Sequence, residues 1–452
     1  MKDFYTFIKD PRIEKAKKEI LEVIDEKRQT ITGVRPPQIH KEEEFQALIK
    51  STSELRGANL YYPYIGSGFG NGPLVELADG SVKYDFISGI GVHYWGHSNL
   101  ELMSANIDAA LTDTVMQGHL QQNADSTKLM HLLTDSSGFD HCFLTTSGAM
   151  ANENGLKILF QNQHPKDRIL AFHHCFMGRT ITLAQITDKP AYRAGLPHTV
   201  HVDYIPFYDP KRPEESTEEA IQELKKHLKQ HPGKYAVMCM ELVQGEGGFN
   251  VGSKAFFHAI IDILKRENIK VLVDEVQTFG RTPKLFAFQY FELEGLVDVV
   301  TIGKLSQVCA TLFNQEIAPK PGLLSQTFTA STSSIHSGTL IVDTLIHGDF
   351  YGPNGKINAI HEYFAKQLEA MHRKYPDLIE GPWGIGAMVA FTPFKGDKEK
   401  VMHFAQKLFE EGVISFIAGS DTLRIRFLLP IKVINKDHID DVVHIIEKAL
   451  LA

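Results

Sequence analysis

Two residues at the ends of two apolar runs carry the clearest chemical signal in this chain. Asp274 closes Val271-Leu272-Val273, and Lys304 follows 30 residues later (304 − 274), just past Asp298-Val-Val-Thr-Ile302 and Gly303. A lysine amine can hold an aldehyde covalently, and a carboxylate can keep a ring nitrogen protonated, which together are the needs of aldehyde-cofactor chemistry. Both runs are short and rich in β-branched residues, the pattern of parallel strands buried on both faces. Open α/β sheets place ligands outside the carboxyl ends of their strands, so one sheet edge could present both groups to one small molecule.

A magnesium-binding strand end of a nucleotide hydrolase is the competing reading of Val-Leu-Val-Asp-Glu. It requires a phosphate loop of the form G-x-x-x-x-G-K-[ST], and the strand-linked Gly303-Lys304 is followed by Leu305 instead. The glycines between Gly66 and Gly72 do not fit G-x-G-x-x-G either. Thr145-Thr146-Ser147-Gly148-Ala149 lies between a strand-like run and a helix-like one. Small residues there leave backbone N–H groups open at a helix N-terminus, a ready phosphate site, although Ser147 could equally be a plain N-cap. Beside a lysine that holds an aldehyde, this points to a phosphorylated aldehyde. Phe176, in Phe-Met-Gly-Arg-Thr, offers a face on which a flat ring could stack. His173-His174-Cys175 has no further ligands at metal-binding spacing, so no metal is expected.

These groups need elements to position them. Cys142–Thr145, Arg168–Phe172, Tyr235–Met240, Val271–Val273 and Asp298–Ile302 alternate with helix-like segments, which predicts a mostly parallel sheet with helices on both faces. Upstream, the stretch from Leu74 to Val92 reads as a hairpin turning at Asp79-Gly80. Before it, Ile13, Ile20, Leu21 and Ile24 form a narrow apolar stripe, expected as a helix packed on a partner surface. After about residue 345 the rhythm changes. A helix over Ile357–Tyr375, a strand over Ala387–Phe391, a helix over Lys398–Glu411, a strand over Thr422–Leu428 and a final helix predict a separate α+β unit. The expected division is an N-terminal arm and part of the small domain in 1–75, a large cofactor-binding domain in 76–344 and a C-terminal small domain in 345–452.

The 452 residues suffice for two cores, and 43% hydrophobic with 23% charged residues is ordinary for a globular chain. A net charge of −8 gives no footprint for nucleic acid or an anionic membrane, so a small-molecule partner is expected. Cys142, Cys175, Cys239 and Cys309 show no paired spacing. With no membrane-length apolar run and no signal-like start, a cytoplasmic location is expected.

Six ordered motifs resemble the class III (omega-amino acid) aminotransferases of the fold type I pyridoxal-phosphate enzymes: Ser147-Gly-Ala, Phe176-x-Gly-Arg-Thr, Glu241-Leu-Val-Gln-Gly-Glu246, Asp274-Glu-Val-Gln277, Gly303-Lys304 and Ile425-Arg426-Phe-x-x-Pro430. Within that family, Gly303 to Cys309 and Met150 look most like the L-lysine ε-aminotransferase branch. The resemblance implies that Lys304 holds pyridoxal 5′-phosphate and moves the substrate proton, and that Asp274 keeps the ring nitrogen protonated. It implies that Gln277 bonds the ring hydroxyl, Phe176 covers a ring face, and Ser147, Gly148 and Ala149 receive the phosphate. Arg426 would clamp a substrate carboxylate and Glu246 would pair with it while the amine donor is bound; Arg424, two residues earlier, is the alternative clamp. A homodimer with its active site at the interface is implied, with Ser334, or Thr332 behind it, reaching the partner's phosphate. Where relatives carry His, this chain has Met177, and Ser331 to Gly338 replaces the usual Thr-Phe-Gly-Gly-Asn. The implied reaction passes an amino group from an ω-amine, lysine first, to 2-oxoglutarate, with ornithine, acetylornithine and 4-aminobutyrate left open as donors. An aminomutase or decarboxylase of the same fold is the rival.

Overall fold

The computed structural model describes residues 6–420 and 422–452. Helix α1 (Pro11–Arg28) buries none of its residues fully. The stripe finds its partner within the chain: α1 lies against α2 (Leu100–Ala110), and Lys17 Nζ donates to Asp108 Oδ1 at 3.0 Å. Ile13, Leu21 and Ile24 are half-buried, while Ile20 stays exposed. Strands β1 (Gly66–Asn71), β2 (Leu74–Leu77) and β3 (Val82–Asp85) form a meander, with the β2–β3 hairpin turning through Asp79-Gly80 as expected. Gly80 sits at φ 80°, a conformation glycine adopts without strain.

The large sheet is built next, from β4 (His141–Thr145), β5 (Arg168–Phe172), β6 (His201–Ile205), β7 (Tyr235–Met240), β8 (Lys270–Glu275), β9 (Val299–Ile302) and β10 (Cys309–Phe313), in the order β4-β10-β9-β8-β7-β5-β6. Pairings among β6, β5, β7, β8 and β9 are parallel, and β10 runs antiparallel to both neighbours. The sheet is thus mostly parallel, as the strand–helix rhythm predicts. Two strands escape that rhythm. β10 follows Lys304 too closely for a helical crossover, so its return is antiparallel. β6 is an edge strand whose Asp203 is spent on Arg168 and the Tyr235 hydroxyl, which breaks its apolar pattern.

Helix α3 (Gly148–Gln163) covers one face of this sheet and α4 (Lys254–Arg266) the other. Side chains on a strand alternate between faces. Leu272 and Val299 therefore pack under Leu156 and Leu159 of α3, while Val271, Val273 and Val300 join Phe256, Ile260 and Leu264 on the α4 side. Each such fully buried aliphatic or aromatic side chain contributes roughly 1.5–3 kcal/mol through burial. The alternation also assigns the chemistry: Asp274 and Thr301 share parity with Leu272 and Val299, and so face α3.

Helix α5 (Thr332–His347) packs on the turn that follows Gly303. The remaining chain gives α6 (Lys356–Lys374), β11 (Ile379–Ile385), β12 (Met388–Pro393), α7 (Lys398–Glu411), β13 (Val413–Ile414), β14 (Phe416–Ala418), β15 (Arg424–Leu428) and α8 (Lys436–Leu451). β11, β12, β15 and β14 form an antiparallel sheet in that order. β13 instead pairs in parallel with β3, Val413 opposite Tyr84, so both ends of the chain build one smaller α+β layer. The strand predicted from Thr422 begins pairing at Arg424, opposite Ala418. Among the described residues no helix is long and apolar enough to cross a membrane.

Candidate active site

β8 and β9 are direct neighbours, and their register puts Asp274 opposite Thr301 and Glu275 opposite Ile302. Lys304 therefore leaves the sheet one strand away from Asp274, at the same carboxyl edge. Its backbone holds φ 55°, an uncommon conformation for a long L side chain. Lys304 starts a short 3₁₀ turn (Lys304–Ser306) that ends at Gln307, also left-handed at φ 60°. The reversal lets β10 return along β9 and leaves the lysine side chain in the cleft.

Asp274 is 7% exposed and fully committed. Its Oδ2 accepts from Asn152 Nδ2 at 2.6 Å and its Oδ1 from the Val276 N–H at 2.8 Å. Asn152, on α3, is fixed in turn: its Nδ2 also donates to Met177 O at 2.8 Å, and its Oδ1 accepts from Thr301 Oγ1 at 2.6 Å. Burial raises the Asp274 pKa to about 6 against the pull of these hydrogen bonds and Lys304. Burial, together with the Arg426 and Arg281 charges, lowers Lys304 to about 8, which puts a neutral amine within reach near physiological pH.

The glycines show how tightly the motifs converge. A Cβ on Gly148 would meet Val276 Cγ1 at 2.7 Å, and one on Gly303 would meet the same atom at 3.2 Å. A Cβ on Gly245 would lie 2.5 Å from Gln277 Oε1. Val276 thus sits between the helix-start motif and the lysine motif, with Asp274 and Gln277 on either side of it in the chain. Ser147 is the N-cap of α3, its Oγ accepting from the Met150 N–H at 3.2 Å. The Gly148 and Ala149 amides belong to the first turn, where a helix has no internal acceptor for them. The Phe176 turn is drawn in through Glu241, whose Oε2 accepts from the Phe176 N–H at 2.8 Å and whose Oε1 accepts from the Gly245 N–H at 3.0 Å. Burial and the nearby Asp274 carboxylate push Glu241 up to about 8.

Arg426 and Arg424 separate clearly. Arg426 lies mid-strand on β15, between Ala390 and Phe416, and is 0% exposed. Its Nη1 donates to Gly245 O at 3.0 Å and its Nη2 to Glu246 Oε1. Arg424 points to the rim, where its Nη1 donates to Gly248 O at 2.5 Å and its guanidinium lies 4.5 Å from the Trp383 ring centre. Burial works to raise the Glu246 pKa, but Arg426, Lys189 and Lys304 together hold it below its usual value. Ser334 stands apart: its recorded hydrogen bonds go to Ser331, the N-cap of α5.

The donor set fits a phosphorylated pyridine aldehyde. A lysine lies within the fields of Asp274, Glu246 and Arg426, its Asp274 neighbour is buried one strand away, and a 16-residue helix starts beside that strand edge. The family described as aminotransferase class-III matches residues 67–450. The chain belongs to the class III aminotransferases. This aminotransferase is therefore a pyridoxal-phosphate-dependent transaminase, as its motifs imply. It is 30% identical to the acetylornithine aminotransferase of Methanocaldococcus jannaschii over 398 residues, 84% of this chain and 92% of that protein. Against the acetylornithine aminotransferase of Bacillus subtilis the identity is 28% over 387 residues, covering 84% and 93%. In fold it is similar to the lysine aminotransferase of M. tuberculosis, with TM-score 0.77 and 21% identity over 89% of this chain and 99% of that one. The ornithine aminotransferase of Toxoplasma gondii gives TM-score 0.76 and 22% identity, covering 89% and 94%.

Asn152, Thr301, Glu241 and Arg281 of this aminotransferase were not singled out for a site role by sequence. Arg281 is buried and donates from Nη1 to Gln277 O at 3.0 Å, bracing the Asp274–Gln277 turn. A polar Asn one turn before Leu156, on the face of α3 that packs on the sheet, was the one available sign of Asn152. Replacing Asn152 with leucine should weaken pyridoxal phosphate binding about 10- to 100-fold, the size of a lost hydrogen bond to a buried charge. Without that bond Asp274 titrates higher, so raising the pH should recover part of the affinity. Titration of the cofactor-free variant across pH checks both effects.

Proposed function

We propose that this chain moves the terminal amino group of an ω-amino donor to 2-oxoglutarate, giving a semialdehyde and glutamate in two successive half-reactions at one site. The Arg426–Glu246 pair carries the reading. A fully buried guanidinium needs a partner, and here the partner is a carboxylate on a loop at the cleft mouth. A donor without a carboxylate on its reacting carbon leaves the pair closed, whereas a 2-oxo acid competes for the guanidinium. An aminomutase or decarboxylase has no use for such a removable clamp.

Bound pyridoxal phosphate supplies an aldehyde for covalent attachment and a ring that takes up electron density. In this reading Lys304 Nζ would hold that aldehyde, and the same amine, when free, would move the proton at the substrate carbon. Its lowered pKa makes it a base near neutrality. Asp274, held by Asn152 and the Val276 N–H, would keep the ring nitrogen protonated. Gln277 would bond the ring hydroxyl oxygen and Phe176 would cover one face. Ser147 and the Gly148 and Ala149 amides take the phosphate. Ser334 serves the phosphate of a second subunit.

A homodimer belongs to the proposal. Leu120 is 98% exposed and Phe328 57%, and the two line one surface recess with Met116, the surface we assign to the second subunit. L-Lysine, through its ε-amine, is our first donor, supported by the likeness of Gly303 to Cys309 and Met150 to that branch. N-Acetylornithine is the second reading, favoured by the M. jannaschii relative. A cytoplasmic setting agrees with the four free cysteines.

Lys304→Ala should lose covalent cofactor attachment and at least ~10²- to 10⁴-fold in turnover. In the cofactor-free wild type, the rate of attachment should rise with pH through about 8, because only the neutral amine attacks; stopped-flow absorbance across pH checks this. A panel of lysine, ornithine, acetylornithine and 4-aminobutyrate, scored for glutamate formed from 2-oxoglutarate, should rank lysine first. Acetylornithine ahead by tenfold in kcat/KM would install the second reading. Leu120→Asp with Phe328→Asp should shift the protein from dimer to monomer in sedimentation; an unshifted dimer refutes that surface.

A further inference from the structure

Glu246 has a second cation. Arg426 holds Oε1, and Lys189 Nζ stands 3.8 Å from Oε2. That spacing is an ion pair across a gap, too long for a direct hydrogen bond. Lys189 lies just beyond the short helix Ile181–Ile186, its N–H donating to Thr187 O at 2.8 Å, so its backbone comes from the large sheet's side of the cleft and Arg426 from the other. Its ammonium sits 5.7 Å from the Tyr192 ring centre. The Lys189 and Glu246 side chains are 24% and 19% exposed, so the pair is half-sheltered at the mouth.

The Arg426 guanidinium shows which edge a substrate must use. Nη1 is taken by Gly245 O, with Gln277 Oε1 a further 3.4 Å contact. Nε is buried without a partner, and Nη2 is bonded to Glu246. Nε and Nη2 form one face of the fork, the face that receives a carboxylate through two parallel hydrogen bonds. A carboxylate can seat there only if Glu246 lets go. A carboxylate leaving its partner in a half-buried site is unfavourable unless another cation receives it.

We propose that Lys189 is that receiver: as the α-carboxylate of a 2-oxo acid takes the Nε–Nη2 edge of Arg426, Glu246 closes the gap to Lys189 and pairs with it until the acid leaves. Lys189 is thus a positioning residue that acts through Glu246 and favours the acceptor half-reaction alone. The proposal rests on the two-substrate reading above.

Stopped-flow spectra of the holoenzyme's cofactor measure the two half-reactions separately. Lys189→Met keeps the aliphatic length and removes the charge. It should leave the lysine half-reaction unchanged and raise the half-saturating 2-oxoglutarate concentration about 10-fold, the scale of a half-sheltered charge losing its partner. Binding of glutarate, an unreactive dicarboxylate, should weaken similarly in a spectral titration, and Lys189→Arg should restore both values. In a Glu246→Ala background Arg426 has nothing to release, so Lys189→Met should add no further loss. Equal loss in both half-reactions, or a loss that persists without Glu246, overturns the proposal, as does a Lys189→Met enzyme that handles 2-oxoglutarate like the wild type. A wild-type cofactor that no 2-oxo acid restores overturns the two-substrate reading itself, and this proposal with it.

Discussion

The buried Asp274 carboxylate is the constraint around which the site is arranged. Taking a carboxylate to 7% exposure costs several kcal/mol unless hydrogen bonds repay it, and its pKa of about 6 records that the repayment is incomplete. What Asp274 still lacks is an opposite charge directly against it. In the function we propose, a protonated ring nitrogen would supply one, so burial that destabilises the empty pocket would become binding energy in the filled one. The same logic explains why Asn152 is itself pinned by Thr301 and Met177 O. A carboxamide free to turn away would let Asp274 take up a proton, and a neutral acid cannot hold a ring N–H⁺ by charge.

Sheet geometry distributes the remaining groups. Parallel pairing of β8 and β9 places Asp274 and Lys304 at one edge, and the antiparallel return of β10 requires the tight, left-handed turn from which Lys304 projects. The smaller layer then brings Arg426 over the same edge. Its guanidinium is braced by the Gly245 carbonyl, and Gly245 is tied through Glu241 to the Phe176 turn. Glu241 thereby links the loop that carries Glu246 to the turn that carries Phe176.

Part of this was legible from residue order alone. Asp274 directly follows the apolar run Val271–Val273, and Lys304 follows Val299–Ile302 after one glycine; a charge at such a point has nowhere to go but the strand's carboxyl end. The hairpin at Asp79-Gly80 and the helix over Lys398–Glu411 were equally plain, because turn chemistry and helical periodicity are local. Asn152 and Glu241 were not legible as site residues. Their roles depend on which strand lies beneath α3 and which loop meets the Phe176 turn, contacts separated by up to 149 residues in the chain. Arg424 and Arg426 share a strand face, so alternation could not choose between them. Depth does: one is sealed between two strands at mid-length, the other reaches the rim beside Trp383.

The contrast between Asp274 and Glu246 shows how one cleft combines a permanent charge with a movable one. Both are carboxylates near Lys304, yet burial dominates one pKa and neighbouring cations the other. Asp274 sits on a central strand, held by a side chain rooted in a 16-residue helix, and it has no path along which to move. Glu246 sits in a glycine-flanked loop between two cations, which allows the change of partner we propose. A fixed cofactor calls for the first arrangement. The two substrates we propose, differing by one carboxylate at the reacting carbon and taken in turn at one site, call for the second.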